Sequence, residues 1–211
     1  MNRILLGGQF RGNNNSWLGI KLLAEALGAK IYVASYSKWS DVPFTYKWKE
    51  TISLNNKSIF YKDICTHKHQ DRYYQQWSSL WSVYNLFKDE FSENDNIFKL
   101  RNDISFLDSI EKLTQLEINF NTLYTPEKEF HAPRLFNDKI ICNDQLWIMK
   151  KTTADKVFNL PYNYNEDQYF ESQNKHPYHK SRNGGIELIL RTYLYQENIN
   201  LNTFSFNCKK V

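Results

Sequence analysis

Lys99-Leu100-Arg101-Asn102-Asp103 sets an arginine and an aspartate one residue apart, directly after an apolar run. A carboxylate at the end of a buried strand can hold Mg2+ or Mn2+ against a diphosphate, because these hard cations use few protein oxygens and complete their shells with phosphate and water. The metal would then neutralise a departing nucleoside diphosphate. The competing reading is an ion pair at a strand end, and the spacing alone does not choose between them.

A second carboxylate lies in Asn143-Asp144-Gln145, after the apolar Ile140-Ile141-Cys142. Asp144 there is a candidate to accept a proton from an attacking hydroxyl or to orient it; the same tripeptide also suits a polar turn. His176 and His179 share a polar stretch with Lys180 and Arg182. One imidazole is a candidate to complete a metal site and the cations to screen phosphate, against the plainer reading of solvated loop histidines. His67 and His69 carry less. The first loop, Gly7-Gly8-Gln9-Phe10-Arg11-Gly12, has neither the GxGxxG nor the GxxxxGK[ST] spacing, although its glycines permit a close backbone approach to a ligand.

The elements that must position these groups follow from hydrophobic spacing. Arg3-Ile4-Leu5-Leu6 reads as a buried strand. A helix is expected from Ser16 as N-cap, with Leu18, Leu22 and Ala26 on one face and Gly28 ending it, before a strand over Lys30–Ala34. This β-α-β opening implies a parallel sheet. Trp77, Leu80, Trp81, Tyr84, Phe87 and Phe91 predict a long amphipathic helix within 70–91, and Asn96–Leu100 a strand. Leu107, Ile110, Leu113 and Leu116 predict a further helix, Lys139–Cys142 a strand, and Ile186, Ile189, Leu190, Tyr193 and Leu194 a late helix. The polar stretch 161–185 is expected as a loop over the site. In such sheets ligands bind beyond the carboxyl ends of the strands, which singles out loops 7–15, 101–105 and 143–147.

Composition bounds the rest. At 211 residues, 41% hydrophobic and 24% charged, the chain suits a single domain over 1–211 with no internal repeat. Aromatics at 16% fill a core and leave rings on which a sugar can stack. A net charge of +4 without a basic stripe or nucleic-acid module argues against a nucleic-acid partner and for mild attraction to an anion or a membrane surface. Cys65, Cys142 and Cys208 form neither a CxxC pair nor an even framework, so reduced thiols and a cytoplasmic location are expected. No apolar stretch approaches membrane-spanning length.

In order as well as content, these segments resemble bacterial and viral glycosyltransferases of the GT-A fold that act on surface polysaccharides and lipopolysaccharide, including the WavE-like proteins. Leu5-Leu6-Gly7-Gly8-Gln9-Phe10-Arg11-Gly12 resembles the family's opening strand, and Ile31-Tyr32-Val33-Ala34-Ser35-Tyr36 its second. Gln76-Trp77-Ser78-Ser79-Leu80 is similar to a helix that often carries Gln and Ser. Ile97–Asp103 is similar to a strand leading into Arg-x-Asp, which stands in place of Asp-x-Asp. Asn143-Asp144-Gln145-Leu146-Trp147-Ile148 resembles the Asn-Asp-Gln element and its apolar strand, and Gly185–Leu190 a late helix that retains Glu187 without the usual preceding proline.

The resemblance implies an α/β, GT-A-like domain with a central, mostly parallel mixed sheet flanked by helices. It implies a hexosyltransferase that takes a nucleotide-diphosphate sugar, most often a UDP-sugar, and a glycan or glycolipid acceptor. Asp103 would lie near Mn2+ or Mg2+ and the diphosphate, and Asp144 near the acceptor; His179, from the reading of the polar stretch above, is the candidate second metal ligand. Arg101 would brace Asp103 or reach the phosphates. Gly8, Gln9 and Arg11 would lie beside the nucleotide, with Gln76 behind it. A glycolipid acceptor would bring the protein to a membrane surface. The alternative is a protein of the same fold that binds a nucleotide or glycan without turnover.

Overall fold

The computed structural model describes residues 1–7, 14–35, 47–50, 81, 83–127, 145–159, 190, 193–195 and 197–210. In chain order its strands are β1 (Asn2–Gly7), β2 (Lys30–Ser35), β3 (Lys47–Glu50), β4 (Asn96–Leu100), β5 (Ile104–Phe106), β6 (Thr122–Pro126), β7 (Leu146–Lys150), β8 (Asn200–Phe204) and β9 (Cys208–Lys210). The helices are α1 (Asn14–Leu27), α2 (Glu111–Thr114) and α3 (Lys151–Val157). Residues 83–87 and 193–195 are helical as well.

Seven strands form one sheet in the order β3-β2-β1-β4-β7-β6-β8. The block β3-β2-β1-β4 is parallel, β7 runs antiparallel to both neighbours, and β8 is parallel to β6. β5 and β9 form a separate antiparallel pair. This is the mostly parallel mixed sheet expected from the sequence.

Strand residues alternate between the two faces, so each strand feeds two cores. Ile4 and Leu6 pack with Ile31, Val33, Phe98, Leu100, Leu146 and Ile148 against Ile20, Leu23 and Ala24 of α1. Leu5 faces the other way with Tyr32, Ile97, Trp147 and Met149, against Tyr84, Phe87, Ala154, Val157, Tyr193 and Leu194. The sheet therefore carries helices on both faces.

Several local expectations are corrected. α1 starts at Asn14, so Ser16 is a buried residue of its first turn and not the N-cap. Its buried stripe is Ser16, Ile20, Leu23 and Ala24, while Leu18 and Leu22 are 54% and 46% exposed. Both sets obey helical spacing, and the position of the sheet decides between them. Gly28 does end the helix. Its φ of +56° allows the Ala29 N–H to reach the Ala24 carbonyl at 2.8 Å and its own N–H to reach Glu25 at 3.2 Å.

The helix expected from Leu107 to Leu116 shrinks to α2, and before it the N–H groups of Leu107 and Asp108 donate to the Asn207 carbonyl; Leu113 is buried and Leu107 is exposed. In the helix expected within 70–91, the described part buries Tyr84 and Phe87 and ends in a 3-10 turn over Lys88–Glu90, followed by the buried Phe91. The strand over 139–142 and the loop over 161–185 lie outside the described residues, as do 70–80.

The amino edge of β1 and β4 is tied together by Asp95. Its carboxylate accepts from the Met1 α-amino group at 2.8 Å, from Arg3 Nε at 2.8 Å and from the Ser92 N–H at 3.1 Å. Arg3 also donates to Tyr32 Oη at 2.7 Å and lies over the Phe91 ring. The Asp95 carbonyl accepts from the Lys151 N–H at 2.9 Å, which joins this edge to the end of β7. Although burial works against ionisation of Asp95, its bonds to the Met1 amine and Arg3 outweigh that and hold its carboxyl below the usual carboxylate range.

Candidate active site

Leu6 of β1 pairs with Leu100 of β4, and Leu100 pairs with Leu146 of the oppositely directed β7. The carboxyl ends of β1 and β4 thus share one edge with the amino end of β7. It is also the point at which the parallel block gives way to an antiparallel strand.

Each of the three loops singled out from the sequence contributes a residue here. The Arg101 N–H donates to the Gln145 carbonyl at 3.0 Å, and Asn102 Nδ2 makes a long 3.5 Å contact with the Gly7 carbonyl. Segments distant in sequence meet because the sheet register places their strand ends side by side.

Between β4 and β5 the chain turns over Asn102 and Asp103, and both are buried. Arg101 folds back along this turn. Its Nε donates to Asp103 Oδ1 and its Nη2 to Asp103 Oδ2, each at 2.8 Å. The Asp103 side chain is 2% exposed and that of Arg101 21%, so the carboxylate lies inside and the guanidinium caps it toward the edge. Two parallel charge-assisted bonds fix the guanidinium plane.

The turn is held from beyond. Ile104 and Phe106 pair with Lys210 and Cys208 of β9, and Cys208 Sγ donates to Gln145 Oε1 at 3.1 Å. On the α1 side a Cβ at Gly19 would stand 3.2 Å from Phe106 Cδ2, so glycine lets the helix approach β5 closely. One residue inward, Lys99 is buried with its Nζ 4.3 Å from the centroid of the Trp147 ring, a partner set opposite it by strand register. Among the described residues the end of β4 carries the cations Lys99 and Arg101 and the carboxylate Asp103.

Chemically, a rigid arginine fork at a strand end is built for phosphate or carboxylate. Both oxygens of Asp103 accept from Arg101, so a divalent cation there would have to bind through their remaining lone pairs, beside the guanidinium. Among the described residues no group of three His, Cys, Asp or Glu side chains is placed to hold a metal.

Of the residues expected to form the site, the structure brings Arg101 and Asp103 together. Gly8, Gln9, Arg11, Gln76, Asp144 and His179 lie outside the described residues. Asn102 and Gln145 fall in two of the loops singled out, without roles of their own, whereas Lys99 and Cys208 were given no part in this edge. A lysine in an otherwise apolar strand was the visible signal for Lys99; Cys208 carried none, because only the β5–β9 pairing brings it near.

No protein-family model matches the sequence, and no curated protein does. Among solved structures the chain is similar to the inositol-1-phosphate CTP transferase from T. maritima, with a TM-score of 0.53 and 9% identity over 100% of this chain and 88% of that one. The galactosyltransferase LgtC, in complex with donor and acceptor sugar analogues, aligns with a TM-score of 0.49 and 9% identity over 95% of this chain and 73% of that one. A glycosyltransferase involved in the glycosylation of the major capsid of PBCV-1 gives 0.48 and 13% over 97% and 82%. At these identities the likeness is one of fold alone, a mostly parallel mixed sheet with helices on both faces as in the CTP transferase.

Proposed function

We propose that this protein is a glycosyltransferase that moves a hexose from a nucleotide-diphosphate sugar, a UDP-sugar in the first instance, to a hydroxyl of a glycan or glycolipid. The observation that carries the reading is the meeting of Gly7, Arg101–Asp103 and Gln145 at one sheet edge, where the parallel strands end. The ordered sequence resemblance assigns nucleotide, diphosphate and acceptor roles to these same three segments.

In this reading Gly8, Gln9, Arg11 and Gln76 hold the nucleotide, and Arg101 faces the diphosphate. Asp144, the residue before Gln145 in the chain, takes the proton of the acceptor hydroxyl. Orientation and stabilisation of charge on the leaving diphosphate supply most of the acceleration. A glycolipid acceptor would draw the protein to a membrane surface; among the described residues no helix is long and apolar enough to cross one.

Calorimetry with UDP, followed by hydrolysis and transfer assays over a panel of nucleotide sugars and glycan acceptors, tests the reading. UDP binding with sugar transfer is the expected result. Binding without turnover on any acceptor would instead make the protein a nucleotide- or glycan-binding relative. Because the fold is shared with a CTP transferase, nucleoside triphosphates with sugar phosphates belong in the same panel, and turnover there alone would overturn glycosyl transfer.

A further inference from the structure

We propose that Cys208 is a positioning residue for the donor site, setting the Arg101–Asp103 turn through its bond to Gln145. The inference rests on the glycosyltransferase reading and deepens its donor site.

The contacts around the turn form a closed circuit. From Arg101 the chain passes through Asn102 and Asp103 into β5, where Phe106 pairs with Cys208 of β9. Cys208 Sγ donates to Gln145 Oε1 at 3.1 Å, and the Gln145 carbonyl accepts the Arg101 N–H at 3.0 Å, which returns the circuit to its start. The turn is thus fastened at both ends, and the thiol joins the two fastenings although Cys208 and Gln145 lie 63 residues apart in the chain.

The base from which the thiol reaches is itself held. Just before Cys208, the Asn207 carbonyl accepts from the N–H groups of Leu107 at 2.9 Å and Asp108 at 3.3 Å, and the Asn207 N–H donates to Asp108 Oδ2 at 2.9 Å. The buried Phe206 stands edge-on to Phe106, with ring centroids 5.7 Å apart. Phe106 in turn backs onto α1 at Gly19, where a Cβ would come within 3.2 Å of its ring. With 106–108 and 206–207 held in this way, the position of Gln145 follows that of the thiol. A thiol is a weak donor, so the bond adds little to stability. A ligand site, by contrast, responds to shifts of about half an ångström in the residues that support it.

The test is a double-mutant cycle on Cys208→Ala and Gln145→Met, read by UDP calorimetry and by hydrogen exchange of the 101–106 amides, with Cys208→Ser as the rescue. Such a cycle isolates the one bond whatever else either side chain touches. Each single variant should weaken UDP binding by about threefold and speed exchange over 101–106, and the double variant should lose no more than the weaker single. Cys208→Ser, which keeps a donor, should recover most of the loss in both readouts. Melting curves establish that each variant is folded at the assay temperature; where Cys208→Ala is not, Cys208→Val, which lacks the donor and suits a strand, takes its place. Unchanged UDP affinity in the single variants, additive losses in the double, unaltered exchange over 101–106 or no rescue by serine would overturn the inference while leaving glycosyl transfer standing. Failure of the wild type to bind UDP would overturn the donor reading and this inference with it.

Discussion

Replacing Asp95 with alanine tests whether the two edges of the sheet have separate tasks. In the native protein its carboxylate, 3% exposed, takes bonds from Arg3 Nε, the Met1 amine and the Ser92 N–H. Removing one partner of a buried ion pair costs about 3–5 kcal/mol. The low end applies here, because the Met1 amine is half-exposed and rehydrates, and Arg3 retains Tyr32 Oη at 2.7 Å. A loss of about 3 kcal/mol should lower Tm by about 6–12 °C in a chain of this size. The deficit should also depend on pH. A carboxyl held below its ordinary range stabilises the fold fully above the unfolded value of about 4 and loses that contribution as pH falls through the folded value. The gap between wild type and Asp95→Ala, measured by urea unfolding from pH 7 downward, should therefore close below about pH 4. Turnover per folded molecule should stay within about twofold of wild type, because Asp95 lies at the opposite end of β4 from the candidate site. A gap under about 1 kcal/mol at pH 7, or one unchanged at low pH, would refute the argument.

Asp144→Asn should lower transfer by about a hundredfold or more while leaving UDP affinity near wild type, as checked by steady-state kinetics beside calorimetry. Removal of residues 208–211 takes β9 from β5 and Cys208 from Gln145. It should weaken UDP binding by about tenfold yet lower Tm by only about 2–4 °C. Tyr84→Phe removes a 2.5 Å bond to Asp155, which keeps Lys151 at 2.8 Å, and preserves the stacking on Phe158; unfolding in urea should show a cost of about 1 kcal/mol. In the native protein burial, then the bond to Asp155, drives the Tyr84 hydroxyl far above its usual range, so ultraviolet titration should find it protonated until the protein unfolds.

The frame of the fold was legible where apolar runs were short and bounded. β1, β2 and β4 appear close to the stretches that hydrophobic runs marked, and Gly28 ends α1 as its position suggested. Periodicity failed where two stripes were equally apolar, as with Leu18 and Leu22 against Ile20 and Leu23. It also missed short elements whose existence depends on a distant partner. Residues 104–106 form a strand because 208–210 arrive beside them, and β6 is held between β7 and β8. No local signal carries those pairings. The site was legible as three loops; that they touch follows from the parallel pairing of β1 with β4 and the reversed direction of β7.

Local sequence separates poorly the two arginine–aspartate pairs that bracket β4. Asp95 just before the strand binds Arg3, and Asp103 just after it binds Arg101, each with a 2.8 Å bond from arginine Nε to a carboxylate buried to a similar degree. Their difference is topological. Arg3 lies within β1, and its 9% exposed side chain is enclosed by Tyr32 and Phe91, so its charge serves only to join strands. Arg101 lies past the end of β4 and opens toward the edge at which three loops meet. A strand direction, fixed by the β-α-β opening, is what makes one pair a structural clamp and the other a candidate donor site. Exchange of arginine for lysine in each pair should then separate them, with stability lost at Arg3 and UDP affinity lost at Arg101.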